Sequence, residues 1–271
     1  MGRLSYAGTF KNPFKAGTIR TLEWATAKVT LLRAVRKFER SGVPFGVTFW
    51  AKAVRQMGID ILTPAAEIAQ IPKTGPLVVV SNHPHGLVDG IVMAEMMARV
   101  RPDFKILTRS LLTGIPEIEE FMIPVPFPHE ENARELGLQM RNDTMAHLAK
   151  GGAIILFPAG KVAMSETFFG PAIEAEWNVF THKIVQKSKA AILPICFVGQ
   201  NSRAFLIANL LSDSLRQGLL LYEIKRALNK PQRPYIGAPI PHTELDKWEG
   251  NPRGFLAWLR DHTLGLGGVK G

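Results

Sequence analysis

Long apolar runs are absent from this chain. No window of about 20 residues is free of charge, so no bilayer-spanning helix is expected. Residues 1–16 lack the apolar stretch of roughly 7–15 residues that a secretory leader needs. Tyr6 stands where N-myristoylation of Gly2 would require Ser or Thr. Cysteine is reduced to Cys196, which excludes an internal disulfide and a cysteine-rich zinc site and fits a reducing compartment. Its place in the apolar run 190–198 reads as a buried structural thiol. Acidic residues are the short side of the charge, with 23 Asp and Glu against 33 Lys and Arg and a net +10. That balance predicts attraction to nucleic acid, phospholipid headgroups or an acidic protein. No nucleic-acid motif and no aromatic-basic repeat supports the first of these. Two catalytic signatures are also missing. No Gly-x-Ser-x-Gly elbow frames a nucleophilic serine. Gly160-Lys161 is not a P-loop, because Ile155 stands where Gly is needed and Val162 where Ser or Thr is needed.

What is present is a globular composition. The 271 residues are 46% hydrophobic and 21% charged, enough for one α/β domain with an appended segment. Residues 18–40 have helical periodicity, with Trp24, Ala27, Leu31, Val35 and Phe38 on one face and Arg33, Arg36, Lys37 and Arg40 on the opposite arc. Residues 45–58 carry Phe45, Phe49, Trp50, Val54 and Met57 beside Lys52 and Arg55, and Gly42 and Pro44 break the chain between the two segments. A helical hairpin over 1–60 follows. Two readings of it stand: a helix pair packed on the core with a solvated basic side, or an interfacial anchor with basic residues among lipid phosphates.

After Thr74-Gly75-Pro76 the texture becomes α/β and holds to about residue 250. Short apolar runs predict strands over 77–81, 104–108, 153–157, 190–198 and 235–237. Helices are expected over 89–99, 132–150, 173–187 and 206–228. The alternation implies an α/β fold with a mostly parallel sheet flanked by helices. Residues 251–271 read as a C-terminal helix and tail, with 264–271 loose.

The chemistry is concentrated in Ser81-Asn82-His83-Pro84-His85-Gly86-Leu87-Val88-Asp89-Gly90, between a buried strand and a helix. Ligands of parallel sheets bind at the carboxyl ends of the strands. An imidazole there can take a proton while a carboxylate fixes its tautomer and stabilises the imidazolium. Pro84 stiffens the turn and Gly86 lets a substrate approach the backbone. The structural alternative has His83 closing a strand and Asp89 capping a helix. A metal site built on His-x-His and Asp is the chemical alternative. It ranks lower because His129, His147, His182, His242 and His262 form no complementary cluster, so no metal is assigned. A second candidate, Phe157-Pro158-Ala159-Gly160-Lys161, follows another buried strand. Its turn exposes backbone N–H groups, and Lys161 adds a charge for phosphate or carboxylate.

Asn82-His83-Pro84-His85-Gly86-Leu87-Val88-Asp89-Gly90 resembles the His-x4-Asp motif of the lysophospholipid/glycerol-phosphate acyltransferase family. It is closer to the hemolysin-like or lyso-ornithine-lipid O-acyltransferase branch, which has one more residue between His and Asp. Phe157-Pro158-Ala159-Gly160 resembles the family's Phe-Pro-Glu-Gly-Thr block. Trp177, Leu193-Pro194-Ile195, Gly199-Gln200-Asn201-Ser202, Glu223 and Ile236-Gly237-Ala238-Pro239-Ile240 continue the match in order over about residues 70–245.

The resemblance implies His83 as base on an acceptor hydroxyl, with Asp89 orienting it. It places Asn82, His85, Gly86, Phe157, Pro158, Ala159, Gly160 and Lys161 at the substrate, with His85 a rival base. Arg109 is a lesser acceptor-site candidate, and Arg134 and Arg141 read as solvated. Ala159 in place of Glu and Lys161 in place of Thr depart from the wider family and leave a glycerol-phosphate acceptor open to question. The implied reaction moves a fatty acyl chain from acyl-ACP or acyl-CoA, a co-substrate with no bound cofactor, to the hydroxyl of a lyso-lipid. The acceptor is a lysophospholipid such as 1-acylglycerol-3-phosphate, or a lyso-ornithine lipid. Implied partners are the lyso-lipid acceptor, acyl carrier protein or a coenzyme A thioester, and an anionic membrane surface, with no nucleic acid. The implied location is peripheral, on the cytoplasmic face of a bacterial inner membrane. The rival reading is a non-catalytic basic membrane-lipid-binding protein on the same fold.

Overall fold

The computed structural model describes residues 5–9, 12–108, 115–126 and 131–269. Its centre is a six-stranded sheet in the order β3-β2-β4-β1-β5-β6. The strands are β1 (Leu77–Ser81), β2 (Phe104–Thr108), β3 (Met122–Pro124), β4 (Ala153–Leu156), β5 (Ala191–Cys196) and β6 (Tyr235–Ile236). Every neighbouring pair is parallel except β5 with β6. The mostly parallel α/β architecture expected from the alternation is therefore present.

Strand alternation divides the core into two layers. Leu77 and Val79 of β1 join Ala153, Ile155, Leu193 and Ile195 on one face, which α3 (Thr48–Gln56) and α5 (Leu87–Ala98) cover. Val78 and Val80 join Ile154, Leu156 and Ile192 on the other, under α6 (Ala133–Ala149), α7 (Val179–Ser188) and α10 (Pro252–Gly265). Burial on both faces is why these strands are continuous Val, Ile and Leu runs with no polar alternation. The chain leaves β1 through α5 on one face towards β2, and leaves the adjacent β4 through α7 on the other face towards β5. The two following loops diverge and open a crevice at the carboxyl ends of β1 and β4.

The N-terminal helices form two arms separated by a break after Arg40. Asn12 caps α1 (Pro13–Glu23) by accepting from the amides of Phe14 and Lys15, and Pro13 sits in the first turn. The helix runs on through a π-helical turn, Trp24–Lys28, into α2 (Val29–Arg40). Each arm packs on the α/β body. The first arm lies along α9 (Asp213–Ala227), where Ala27 and Leu31 meet Leu221 and Ile224. α3 places Phe49 and Trp50 in the main core, with Trp50 against Phe121 at 5.9 Å between ring centroids. An edge contact of Phe38 on Phe49, centroids 5.4 Å apart, joins the arms. The expected apolar stripe is thus divided: Ala27 and Leu31 are buried, while Trp24 and Val35 are 55% and 39% exposed. Arg33, Arg36, Lys37 and Arg40 are all exposed.

Three expectations need correction. The helix expected over 173–187 begins only after Asn178, because Ile173 pairs with Met164 in an antiparallel bridge and holds the preceding segment extended. The helix expected over 206–228 is two, α8 (Arg203–Leu211) and α9. The break is at Ser212, whose extended backbone lets its hydroxyl cap the second helix through the Ser214 amide. The tail expected to be loose is packed in part: Leu266, Gly267 and Val269 are half-buried, while Gly265 and Gly268 are exposed. Thr263 and Leu264 are buried, and the Leu264 carbonyl lies 3.7 Å from the Cys196 sulfur. α4 (Ala65–Ile68) is a single turn ahead of β1.

Candidate active site

The segment after β1 is held from several sides. Asn82 is buried and pairs reciprocally with Phe197: its Nδ2 donates to the Phe197 carbonyl and its Oδ1 accepts the Phe197 amide, both at 2.8 Å. Both ends of its amide are occupied by β5's exit, so Asn82 ties the two loops together. Gly86 takes φ +71, ψ −127, a conformation essentially restricted to glycine, and turns the chain into α5. That turn puts Asp89 in the helix's first turn, where its charge meets the positive end of the helix dipole.

Asp89 is fully buried and shared by two imidazoles. Its Oδ2 lies 3.1 Å from His83 Nδ1 and accepts the His85 backbone amide at 2.8 Å. Its Oδ1 lies 3.0 Å from His85 Nδ1. Burial pushes the Asp89 carboxyl pKa up, but the charge of His85 and the hydrogen bonds from both rings outweigh it and hold the value below the usual carboxylate range. For His85, burial works against the imidazolium, yet the Asp89 charge and hydrogen bond leave its pKa raised.

Phe157, the first residue after β4, stacks on His83 with ring centroids 3.9 Å apart and planes 26° from parallel. The turn closes with the Gly160 amide on the Phe157 carbonyl at 2.9 Å, and Ala163 donates to the His83 carbonyl at 2.9 Å. Gly160 has φ +66 with no atom within 4 Å of where a Cβ would stand. Lys161 beside it is exposed.

These two turns flank a cavity of about 620 Å³. His83, Gly86, Phe157, Pro158, Ala159, Gly160 and Lys161 line it; Asn82, His85 and Asp89 do not. Arg109 lies outside the described residues. Among the described residues, the charged groups on the wall are Arg141, Lys161 and Arg216, with no carboxylate. Two polar atoms of the lining, Thr181 Oγ1 and Gln217 Oε1, are buried with no hydrogen-bond partner. No group of three His, Cys, Asp or Glu is arranged to hold a metal among the described residues. Both Nδ1 atoms point at one carboxylate, a hydrogen-bonded arrangement suited to proton transfer.

Sequence reasoning missed Glu174. It is buried, accepts the His83 backbone amide at 3.2 Å and the Trp177 indole N–H at 3.1 Å, and desolvation raises its pKa. Its partner in the histidine turn lies 91 positions away, and nothing local distinguishes it from Glu176, which directly precedes Trp177. Thr181, Arg216 and Gln217 were also missed, since only the fold brings α7 and α9 to the cavity.

Residues 66–198 match the family model described as Acyltransferase. The chain is similar to a lyso-glycine lipid O-acyltransferase of Phocaeicola vulgatus, 24% identical over 234 residues that cover 79% of this chain and 80% of that one. It is similar to a protein of the same description from Bacteroides thetaiotaomicron, 25% identical over 224 residues, covering 76% and 79%. Among solved structures it resembles the 1-acyl-sn-glycerophosphate acyltransferase of Thermotoga maritima, with a TM-score of 0.52 at 14% identity, over 98% of this chain and 87% of that one. That likeness is one of fold.

Proposed function

We propose, from the premise that this chain belongs to the lysophospholipid acyltransferase family, that it carries a fatty acyl group from a thioester to the hydroxyl of a lyso-lipid with His83 as general base. Lysophospholipid-type O-acyltransferase activity is the coarser statement that the family and the relatives support. The observation that carries the finer one is the 3.1 Å contact of His83 Nδ1 with buried Asp89 at the edge of the cavity. With Nδ1–H donated to the carboxylate, Nε2 is the proton-accepting nitrogen. It takes the acceptor's hydroxyl proton as the oxygen attacks the thioester carbonyl carbon. The tetrahedral intermediate then collapses to an ester, the carbon–sulfur bond breaks, and the thiolate receives the proton from the His83 imidazolium. Phe157 stacked on the ring keeps it from swinging away from Asp89. The backbone amides of Lys161 and Val162 are assigned to the oxyanion: both residues line the cavity, and neither amide donates to another protein group among the described residues.

The donor is acyl-ACP or acyl-CoA, and no bound cofactor enters these steps. For the acceptor, the three cations that line the wall, with no carboxylate among the described residues, favour an anionic headgroup. Ala159 in place of the family's Glu favours a lyso-amino-acid lipid over a glycerol phosphate. The relatives named for O-acylation of a lyso-glycine lipid support the same direction. No helix among the described residues is long and apolar enough to cross a membrane. Attachment to the cytoplasmic face of the inner membrane is assigned to exposed Arg33, Arg36, Lys37 and Arg40 with exposed Trp24 and Val35. The test is incubation of the purified protein with lysophosphatidic acid, lyso-glycine lipid and lyso-ornithine lipid, each with acyl-CoA and acyl-ACP, with products read by mass spectrometry. An ester product from an amino-acid lipid supports the reading. No ester with any pair overturns it.

A further inference from the structure

The acyl transfer above uses one of the two imidazoles that hold Asp89. We propose that His85 is a positioning residue: a proton resident on its ring occupies Asp89 Oδ1 and keeps the carboxylate aimed through Oδ2 at His83, so that the base stays free to take the substrate's proton. This rests on the acyl-transfer reading for its kinetic arm alone.

The geometry assigns His85 a task other than substrate contact. Asp89 is 0% exposed, and a buried carboxylate needs its lone pairs filled. Among the described residues, Oδ1 has the His85 ring as its partner, at 3.0 Å, while Oδ2 is shared between the His83 ring at 3.1 Å and the His85 amide at 2.8 Å. His85 thus supplies two of the three contacts. Its ring does not line the cavity, and its far edge packs on Gly199, where a Cβ would come within 2.7 Å of Nε2. Gly199 at φ +121 lets β5's exit pass that close.

The charges around the ring favour a proton on it. Asp89 faces it from α5, and Glu223 and Arg226 face it from α9. Glu223 is buried, accepts from the Ser202 amide and hydroxyl, and is bridged by Arg226 at 3.1 Å. Two carboxylates against one guanidinium outweigh the desolvation of the ring, consistent with the raised pKa of His85. His83 meets the other carboxylate oxygen, Oδ2, and its amide is held by Glu174.

Two imidazoles on one carboxylate titrate as a unit. The first proton is compensated by Asp89; a second would set two positive rings against one negative charge. With His85 charged, the cluster resists taking another proton from water before the substrate supplies one. Replacing the charged ring by a neutral group leaves the charge of Asp89 to be compensated by His83 alone, which favours a proton from water there and brings inactivation at higher pH.

The experiment compares the wild type with His85→Asn and His85→Ala. Asparagine offers a neutral N–H to Oδ1 without a titratable charge. Folding is verified by circular dichroism and thermal melts. His85→Asn is expected to lower the kcat/KM plateau several-fold and to move the acid limb of the pH profile up by roughly one unit. His85→Ala, with Oδ1 left bare, is expected to lower the plateau further; if it does not fold, the Asn variant alone decides. An acid limb unmoved in folded His85→Asn overturns the proposal. Complete loss in His85→Asn beside retained turnover in His83→Ala also overturns it, and makes His85 the base. The second arm needs no substrate: ¹⁵N imidazole spectra of the wild type at neutral pH are expected to show His85 protonated on both nitrogens. A neutral His85 overturns the proposal even if transfer is found; a doubly protonated one is the expected result, and it is read independently of the lipid panel.

Discussion

The turn after β1 and the turn after β4 face each other across one cavity, and they are built in opposite ways. In the first, side chains are cross-linked to one another and to distant backbone: Asn82 to Phe197, Asp89 to both histidines, the His83 amide to Glu174. In the second, backbone hydrogen bonds close the turn, Gly160 stands in open space and Lys161 is an exposed residue of the cavity wall. On the proposed function, the contrast separates two demands. Proton transfer requires fixed geometry, so its residues cannot change singly. Headgroup recognition requires a shaped, charged opening, and that side can change without unfolding the rest.

The sharpest way to break the comparison is at its rigid end. His83→Ala is expected to lower kcat by ~10²–10⁴-fold while the thermal melt stays close to the parent, because a positioned base contributes on that scale. Asp89→Asn should be severe but smaller, and it should also change the acid side of stability. The Asp89 carboxyl is held below its usual range, so the stability it contributes is complete above its unfolded pKa and is lost as pH falls through the folded value. Melts of Asp89→Asn from neutral to acid pH should lack that part of the fall. A parent-like acid profile would show that the carboxylate is not where the geometry puts it.

The two glycines come next. Alanine at Gly86 forces a conformation open essentially to glycine alone and should cost about 3 kcal/mol in urea unfolding, with activity lost as Asp89 shifts. Alanine at Gly160, at φ +66 with free space around it, should cost only about 1 kcal/mol. Equal costs would erase the distinction between the turns. Smaller still, Lys161→Ala should raise the acceptor's KM several-fold more than the donor's. An equal rise in both would mean that the lysine supports the loop and does not touch a headgroup. The smallest effect on chemistry is expected from Gln at Arg33, Arg36, Lys37 and Arg40 together. Turnover of a water-soluble acceptor should be unchanged while co-sedimentation with anionic vesicles weakens at low salt. Vesicle binding equal to the parent's would make that arc a solvated face.

The legible parts of the sequence were those where local pattern and tertiary role agree. β1, β4 and β5 are buried on both faces, so their apolar runs are unbroken. The histidine turn was visible because its partners lie within seven residues of one another. Long-range demands hid the rest. Residues 173–177 carry Ala, Glu and Trp, good helix material, yet the bridge to Met164 and the reach of Glu174 to His83 hold them extended. β3 is three residues long, too short to show a period. Ser212 ahead of Asp213 was a cap signal inside an otherwise continuous helical pattern. Periodicity grouped Trp24 and Val35 with Ala27 and Leu31, but the π turn and the course of α9 decide which of them are covered.

The chain's one thiol gives it a further property. Cys196 is wholly buried, its pKa is pushed up to about 11 by desolvation, and the glycine at 267 passes so close that a Cβ there would stand 2.9 Å from the sulfur. Alkylating reagents at neutral pH therefore meet a silent background, and a cysteine placed on the cavity rim or on α2 can carry a fluorophore or spin label alone. Conversely, the slow modification of Cys196 itself is a clock for the lifting of residues 264–269 from β5, read without any label at all.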